Sequence, residues 1–319
     1  MVRVYFRPVL TLVGFIYDWL RVIKHGGWRK KHKNSDERVY ILAKSYHSLE
    51  KSLSFRDNDP ERGWANAHFV ADILTELWQS DQNLKTAHEL GAINAIKEFY
   101  KKNSTAKQST LFREKYEWIL NYKSQVKAGV KVLKKAEAEL GILEKPSDFF
   151  LTRYSLRDFS NKEVPLAIIE EATKYAMKSP SACNRQSWRV DIVKSKGKID
   201  ELLSIQNGNQ GFTGNIHTLA IISADLKAFI SGNERYQHWI DGGLFSMSFI
   251  YSLHSLGVGS CCLNWSQMIK PDLALRKMYD LPDSNSVIMM LAIGYPKEEN
   301  IVCVSPRRDI KEVLHFIER

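Results

Sequence analysis

The hydrophobic rhythm of the chain changes at Glu144-Lys145-Pro146-Ser147-Asp148, and that change limits the folds open to it. From Val39 to about Ile142 apolar residues recur every three or four positions: Leu42, Tyr46 and Leu49, then Ala65 through Trp78, then Phe112 to Leu140. Such spacing puts one apolar stripe on each helix, and nothing in the stretch alternates as a strand does. Asp57-Asn58-Asp59-Pro60 and Lys102-Asn103-Ser104-Thr105 divide it as turn clusters. Past the boundary the pattern predicts a helix over 166–177, a strand over 188–193 and a buried strand over 218–223. A long apolar helix over 236–256 and another buried strand over 286–293 follow. The reading is a helical region over residues 1–147 and a mixed domain over 148–319. Buried strands between helices argue for a sheet covered on both faces, with strand direction left open by periodicity alone.

The first thirty-odd residues stand apart. Val9, Leu10, Leu12, Val13, Phe15, Ile16, Leu20 and Ile23 form an apolar run interrupted by Arg7, Asp18 and Arg21, too short and too charged for a spanning helix. Lys24, Arg29, Lys30, Lys31 and Lys33 follow with no acid between Asp18 and Asp36, and Trp19 and Trp28 flank them. Two readings of residues 1–33 stay open: an interfacial helix with a basic flank that contacts an anionic membrane, or a helix packed on its own domain or on a partner subunit.

A formal charge of +10 and a pI near 9.3 would suit a polyanion. The basic residues are mixed with acids along helical faces, and no zinc-finger or aromatic-basic ribonucleoprotein motif accompanies them, so nucleic acid is not the expected partner. Cys183, Cys261, Cys262 and Cys303 lack the C-x-x-C spacing of a metal or redox site. Free thiols, no metal and a cytoplasmic setting are expected. Trp64, Trp78 and Trp118 read as packing residues.

Three segments carry the chemistry. In Arg153-Tyr154-Ser155-Leu156-Arg157-Asp158-Phe159, side chains two apart share a face of extended backbone, so two guanidiniums and a hydroxyl can converge on one phosphate. Surface arginines ahead of a helix capped by Ser160 are the alternative. Ser179-Pro180-Ser181-Ala182-Cys183-Asn184-Arg185-Gln186-Ser187-Trp188 offers small polar side chains and free amides, and Ser305-Pro306-Arg307-Arg308-Asp309, near the C-terminus, carries a basic pair.

In that order and separation, these segments resemble the nitroreductase superfamily of FMN-dependent oxidoreductases. The resemblance covers about Asp148 to Arg319 and implies an α+β fold: a nitroreductase-like, mainly antiparallel central sheet flanked by helices, here preceded by an all-α N-terminal domain. It implies FMN at the interface of a homodimer, and alternating two-electron reduction by NAD(P)H and of a small organic acceptor. Arg153, Tyr154, Ser155 and Arg157 correspond to the phosphate segment; Pro180, Ser181, Asn184 and Gln186 to the segment facing the ribityl chain and ring edge. Asn209 matches a contact to the pyrimidine edge, Cys262, Leu263 and Asn264 the backbone near N5, and Arg308 with Arg307 the basic pair that returns to the phosphate. The family's Gln-Pro-Trp stands here as Gln186-Ser187-Trp188.

No general acid or base is assigned, because the flavin carries the hydride chemistry in such enzymes. Cys261 and Cys262 read as packing residues rather than a redox pair. The short interval between Val193 and Thr218 leaves little room for the substrate lid of iodotyrosine-dehalogenase-like members. Alternatives are a non-enzymatic membrane or complex scaffold that keeps the fold, and a flavin-fragmenting or oxygen-using member.

Overall fold

The computed structural model describes residues 7–28, 35–55, 59–81, 84, 86–265 and 267–317. Among the described residues five helices come first: α1 (Arg7–His25), α2 (Ser35–Ser54), α3 (Trp64–Asp81), α4 (Ala87–Lys102) and α5 (Gln108–Asn121). Helices α2 to α5 share one core, with Leu42, Leu49, Leu74, Ile93, Ile96 and Phe112 almost fully enclosed. Each such side chain contributes roughly 1.5–3 kcal/mol by leaving water. Trp64 packs edge-on to Phe99 at 5.1 Å, and Trp78 stacks on Trp118 at 5.3 Å, so these tryptophans do pack. Thr86 starts α4 with a reciprocal capping box to Glu89, which satisfies two otherwise orphaned amides.

The helical reading of 112–140 is corrected beyond Asn121. The chain leaves the helix at Tyr122 and runs irregularly to Lys134, apart from the short α6 (Lys135–Glu139) that follows. Side chains of neighbouring helices take over its backbone. Asn94 Nδ2 donates to the carbonyls of Ser124 and Val126, Glu50 accepts the Gly129 amide at 2.9 Å, and Glu98 accepts the Val130 amide at 2.9 Å. Gly129 sits at φ 93°, in the left-handed region, which ends any helix there. Of the turn cluster at 57–60, residues 57 and 58 lie outside the described residues.

After α7 (Pro146–Phe150) and α8 (Leu166–Ala176) come β1 (Trp188–Val193), α9 (Lys196–Ser204), β2 (Thr218–Asp225) and α10 (Gln237–Ser255). The rest is β3 (Gly259–Asn264), α11 (Ile269–Met278) and β4 (Asn285–Gly294). The four strands form one antiparallel sheet in the order β1-β2-β4-β3, with an irregularity in β2 between Ile222 and Ser223. Alternate residues of β2 serve opposite faces. Ala220 and Ile222 join Phe245 and Phe249 of α10 and Ile169 of α8, whereas Leu219 and Ile221 join Leu202 of α9 and Leu275 of α11. The expected α+β architecture, with an antiparallel sheet behind a helical region, is the observed one.

Helix α1 docks on the sheet domain with its polar side. The Tyr17 hydroxyl donates to Asp272 Oδ2 at 2.7 Å, and Arg21 Nη2 donates to the carbonyls of Asp283 and Asn285 at 3.0 and 2.7 Å. Leu12, Phe15, Ile16 and Leu20 consequently face outward. A surface helix ordinarily buries its apolar stripe; this one exposes it. No described helix is long and apolar enough to cross a membrane. The basic residues 29–33 lie outside the described residues.

Candidate flavin site

The segment bearing Arg153 and Arg157 is held against β3. Ser155 bridges Ser260, and the Leu156 amide donates to the Ser260 carbonyl at 3.0 Å. The approach is close: a Cβ at Gly259 would lie 2.5 Å from Leu156 Cδ2, so a larger residue there would make the Leu156 side chain shift. Strand β3 turns Cys261 and Leu263 into the core and leaves Cys262 and Asn264 exposed. Burial pushes the Cys261 thiol above its ordinary pKa, against the nearby charges of Arg157 and Arg153. All four cysteines are free.

Among the described residues, no carboxylate pairs with either guanidinium. Arg153 is half-buried and makes no hydrogen bond or ion pair, and Arg157 makes one weak contact, Nη1 to Cys303 Sγ at 3.6 Å. Two uncommitted forks beside a serine fit a dianionic phosphate, because each can donate charge-assisted bonds that no protein acceptor already claims. Tyr154, between them, is exposed.

The segment 180–186 is built differently. Cys183, Asn184 and Gln186 have φ of 52°, 53° and 51°, a conformation costing non-glycine residues of order 1–3 kcal/mol each. The surroundings impose it. Arg185 points inward, 1% exposed, donating from Nε to the Ala182 carbonyl at 2.9 Å, from Nη1 to the Ala228 carbonyl at 2.6 Å, and to both carboxylate oxygens of Glu234. Burial works against the Glu234 carboxylate, but the Arg185 guanidinium and the amides of Ile230 and Ser231 outweigh it and hold its pKa below the usual range. Asp241 of α10 accepts the Ala182 amide at 3.1 Å, and Ser181 Oγ accepts the Gln186 amide at 3.1 Å. Helix α2 packs over Ala182–Asn184 and over Leu226–Ala228, and its Tyr40 hydroxyl donates to Asp225 at 3.2 Å. Pro180 and Asn184 are exposed. Beside Gln186 opens an apolar cavity of about 480 Å³, walled by Leu166, Met177, Trp188 and Phe245.

The two segments occupy opposite ends of α10. Ala182 meets Asp241 near the start of that helix; Thr152 meets His254 Nε2, at 3.1 Å, near its end. Thirteen residues at 1.5 Å each put these contacts about 20 Å apart.

Asn209 is buried and inward-facing. Its amide donates to the carbonyls of Leu203 and Gln206, both at 2.8 Å, and its carbonyl accepts from Thr213 Oγ1 at 2.8 Å. It thereby braces the loop from which Gln206 Nε2 reaches the Asn264 carbonyl at 2.9 Å. Arg307 and Arg308 lie on an exposed C-terminal stretch, and Arg307 donates to the Ser305 carbonyl at 2.6 Å. Arg185, Glu234 and Asp241 shape the turn without having been assigned from sequence. Arg185 lay in the quoted segment, but nothing local distinguishes a buried arginine from a surface one, and its partner is 49 residues away.

The Nitroreductase family profile matches residues 151–208 and 198–295. An Archaeoglobus fulgidus protein, provisionally named NADH dehydrogenase/NAD(P)H nitroreductase, is 27% identical over 149 residues, which is 46% of this chain and 83% of that protein. Iodotyrosine deiodinase of Hydra vulgaris is 18% identical over 205 residues, 56% of this chain and 75% of that protein. The solved structure of an FMN-dependent nitroreductase from Clostridium difficile R20291 covers 54% of this chain and 98% of its own, with 23% identity and a TM-score of 0.45. The match to the Nitroreductase family thus covers residues 151–295, behind an N-terminal region of helices.

Proposed function

We propose that the protein is an FMN-dependent oxidoreductase that uses NAD(P)H to reduce a small organic acceptor in alternating two-electron steps, with the flavin domain spanning residues 148–319. The observation that carries the reading is the pair of guanidiniums, Arg153 and Arg157, without an anionic partner beside Ser155 and β3. When bound, the flavin would accept and pass on hydride. The chain's own part is to hold and orient it. Arg153, Ser155 and Arg157 would grip the phosphate, with Arg307 and Arg308 as further cations. The backbone of Cys262, Leu263 and Asn264 would lie along the ring, and Ser181, Asn184 and Gln186 would meet its polar edge. Asn209 would act through the loop it braces. The donor named for the Archaeoglobus relative supports NAD(P)H.

A homodimer follows from the same reading. The phosphate segment and the Ser181 turn sit at opposite ends of α10, so a cofactor held by both is best shared between two copies. Tyr236, Ile240, Leu244 and Met247 form an exposed stripe at helical spacing in and just before α10, and Ile301, Val304, Phe316 and Ile317 are exposed along the C-terminal stretch. Both are surfaces a partner subunit would cover. The decisive experiment is release of the bound cofactor by heat with identification by mass. Colourless protein that takes up no FMN on reconstitution would overturn the enzyme reading.

The outward apolar face of α1 favours one further reading, peripheral contact of a cytoplasmic protein with an anionic membrane. Sedimentation with anionic and neutral vesicles tests it.

A further inference from the structure

Between the C-terminal half of α1 and the 226–238 stretch lies a cavity of about 430 Å³, outside the segments assigned to the flavin. Trp19, Val22 and Trp28 close it on one side, and Leu226, Phe229 and Ile230 on the other. This volume falls in the range of small-molecule sites, and its walls have the mainly apolar, aromatic character of such sites.

One polar group stands in that lining without a partner. His238 is 5% exposed, its ring lies against those of Phe229 and Trp239, and among the described residues neither ring nitrogen makes a hydrogen bond. The little surface His238 keeps must include its ring nitrogens, since neither is a fully enclosed atom, so with no protein partner they are left to water or to a ligand in the cavity. Burial, helped by the Arg21 charge, keeps it neutral, so it offers one donor and one acceptor.

The charged groups nearby are committed elsewhere. Both carboxylate oxygens of Glu234 are taken by Arg185 and by the amides of Ile230 and Ser231. The Arg235 guanidinium lies 4.5 Å over the Tyr236 ring and donates to the Gly232 carbonyl at 3.4 Å. A charged ligand would find no counter-ion.

We propose that this cavity is a second binding site, for a small neutral aromatic molecule carrying a single hydroxyl, of the phenol kind, with the hydroxyl bonded to His238. The ring fills the space between Trp19 of α1, Trp28 just beyond that helix, and Phe229. The site thus joins the N-terminal helix to the family domain, and it is independent of whether the flavin reading holds.

The test uses full-length protein as purified, with p-cresol and toluene as probes, titrated by calorimetry and by ligand-observed NMR. The expected result is saturable p-cresol binding at least tenfold tighter than toluene. His238→Phe should erase that preference and His238→Asn should keep part of it. Ile230→Trp, which fills the cavity, should remove both probes while the melting transition shows the variant folded. Binding of neither probe to wild-type protein, equal binding of both, or an undiminished preference in His238→Phe overturns the proposal. Flavin absorbance is read separately: colourless protein that still prefers p-cresol would sink the oxidoreductase reading and leave this site standing.

Discussion

Arg185 and Glu234 meet as a two-pronged ion pair behind the Ser181–Gln186 turn, with the arginine side chain fully enclosed and the carboxylate 19% exposed. Removing one partner of such a pair strands the other charge, at a cost of about 3–5 kcal/mol. Arg185→Ala should therefore lower stability by that order, and the strained turn should relax. Chemical denaturation with cofactor retention measured in parallel checks both. A change under 1 kcal/mol would mean the pair does not hold the turn.

On the proposed reading, truncating Arg153 or Arg157 removes charge-assisted bonds to the flavin phosphate rather than fold. Arg153→Ala or Arg157→Ala should each weaken FMN retention by roughly 1.5–3 kcal/mol, about ten- to a hundredfold. Equilibrium dialysis against free FMN gives the number. Unchanged affinity in both variants would remove the phosphate assignment.

Acid should destabilise the protein early, and His238 should be one cause. Its folded pKa is lowered to about 4 by burial first and by the Arg21 charge second, whereas an unfolded histidine titrates near about 6.5. Below that value the unfolded chain takes up a proton the folded chain refuses, so stability falls as pH drops from about 6.5 to about 4. Glu234 acts in the same direction at lower pH, because its depressed pKa gives stability that is lost as the carboxylate protonates. His238→Phe should flatten the upper part of this profile, on the order of 2–3 kcal/mol across the window. A variant profile parallel to wild type would refute it.

If the exposed face of α1 meets a bilayer, vesicle binding should require anionic lipid and weaken as salt rises, since charges at physiological ionic strength are screened beyond about 8 Å. Removing residues 1–33 should abolish it and leave the flavin spectrum unchanged. Lack of binding to either vesicle type, together with aggregation of the truncated protein, would show the helix to be a packing element.

Much of the sheet was legible because its strands announce themselves locally. Trp188–Val193 and the apolar runs at 218 and 286 lie between turn residues, and the structure ends them within a residue or two of the expected places. Strand β3 was not legible as a strand: Ser260, Cys261, Cys262 and Asn264 carry no period-2 signal, and pairing with β4 and contact with Ser155 make it one. The stretch after Asn121 failed in the other direction. Val126, Val130 and Leu133 keep a helix-compatible spacing, but Asn94, Glu50 and Glu98 claim the backbone instead. In the candidate site the arginines and small polar residues could be named from their chemistry together with the resemblance to the nitroreductase superfamily. Their support, from Arg185 to Asp241, depends on contacts between distant parts of the chain.

Helix α2 rests directly on the turn at Ala182–Asn184, and if that turn meets the flavin as proposed, this ties the fate of the helical region to the cofactor. A ligand that binds only the folded state stabilises everything that must be folded to bind it, by about 2.7 kcal/mol when present at a hundred times its Kd. On the flavin reading, the helices that contribute no atom to the cofactor would still share in that protection. A cell short of flavin would then lose the whole polypeptide to proteolysis and not merely its activity, so the amount of this protein would follow the flavin supply.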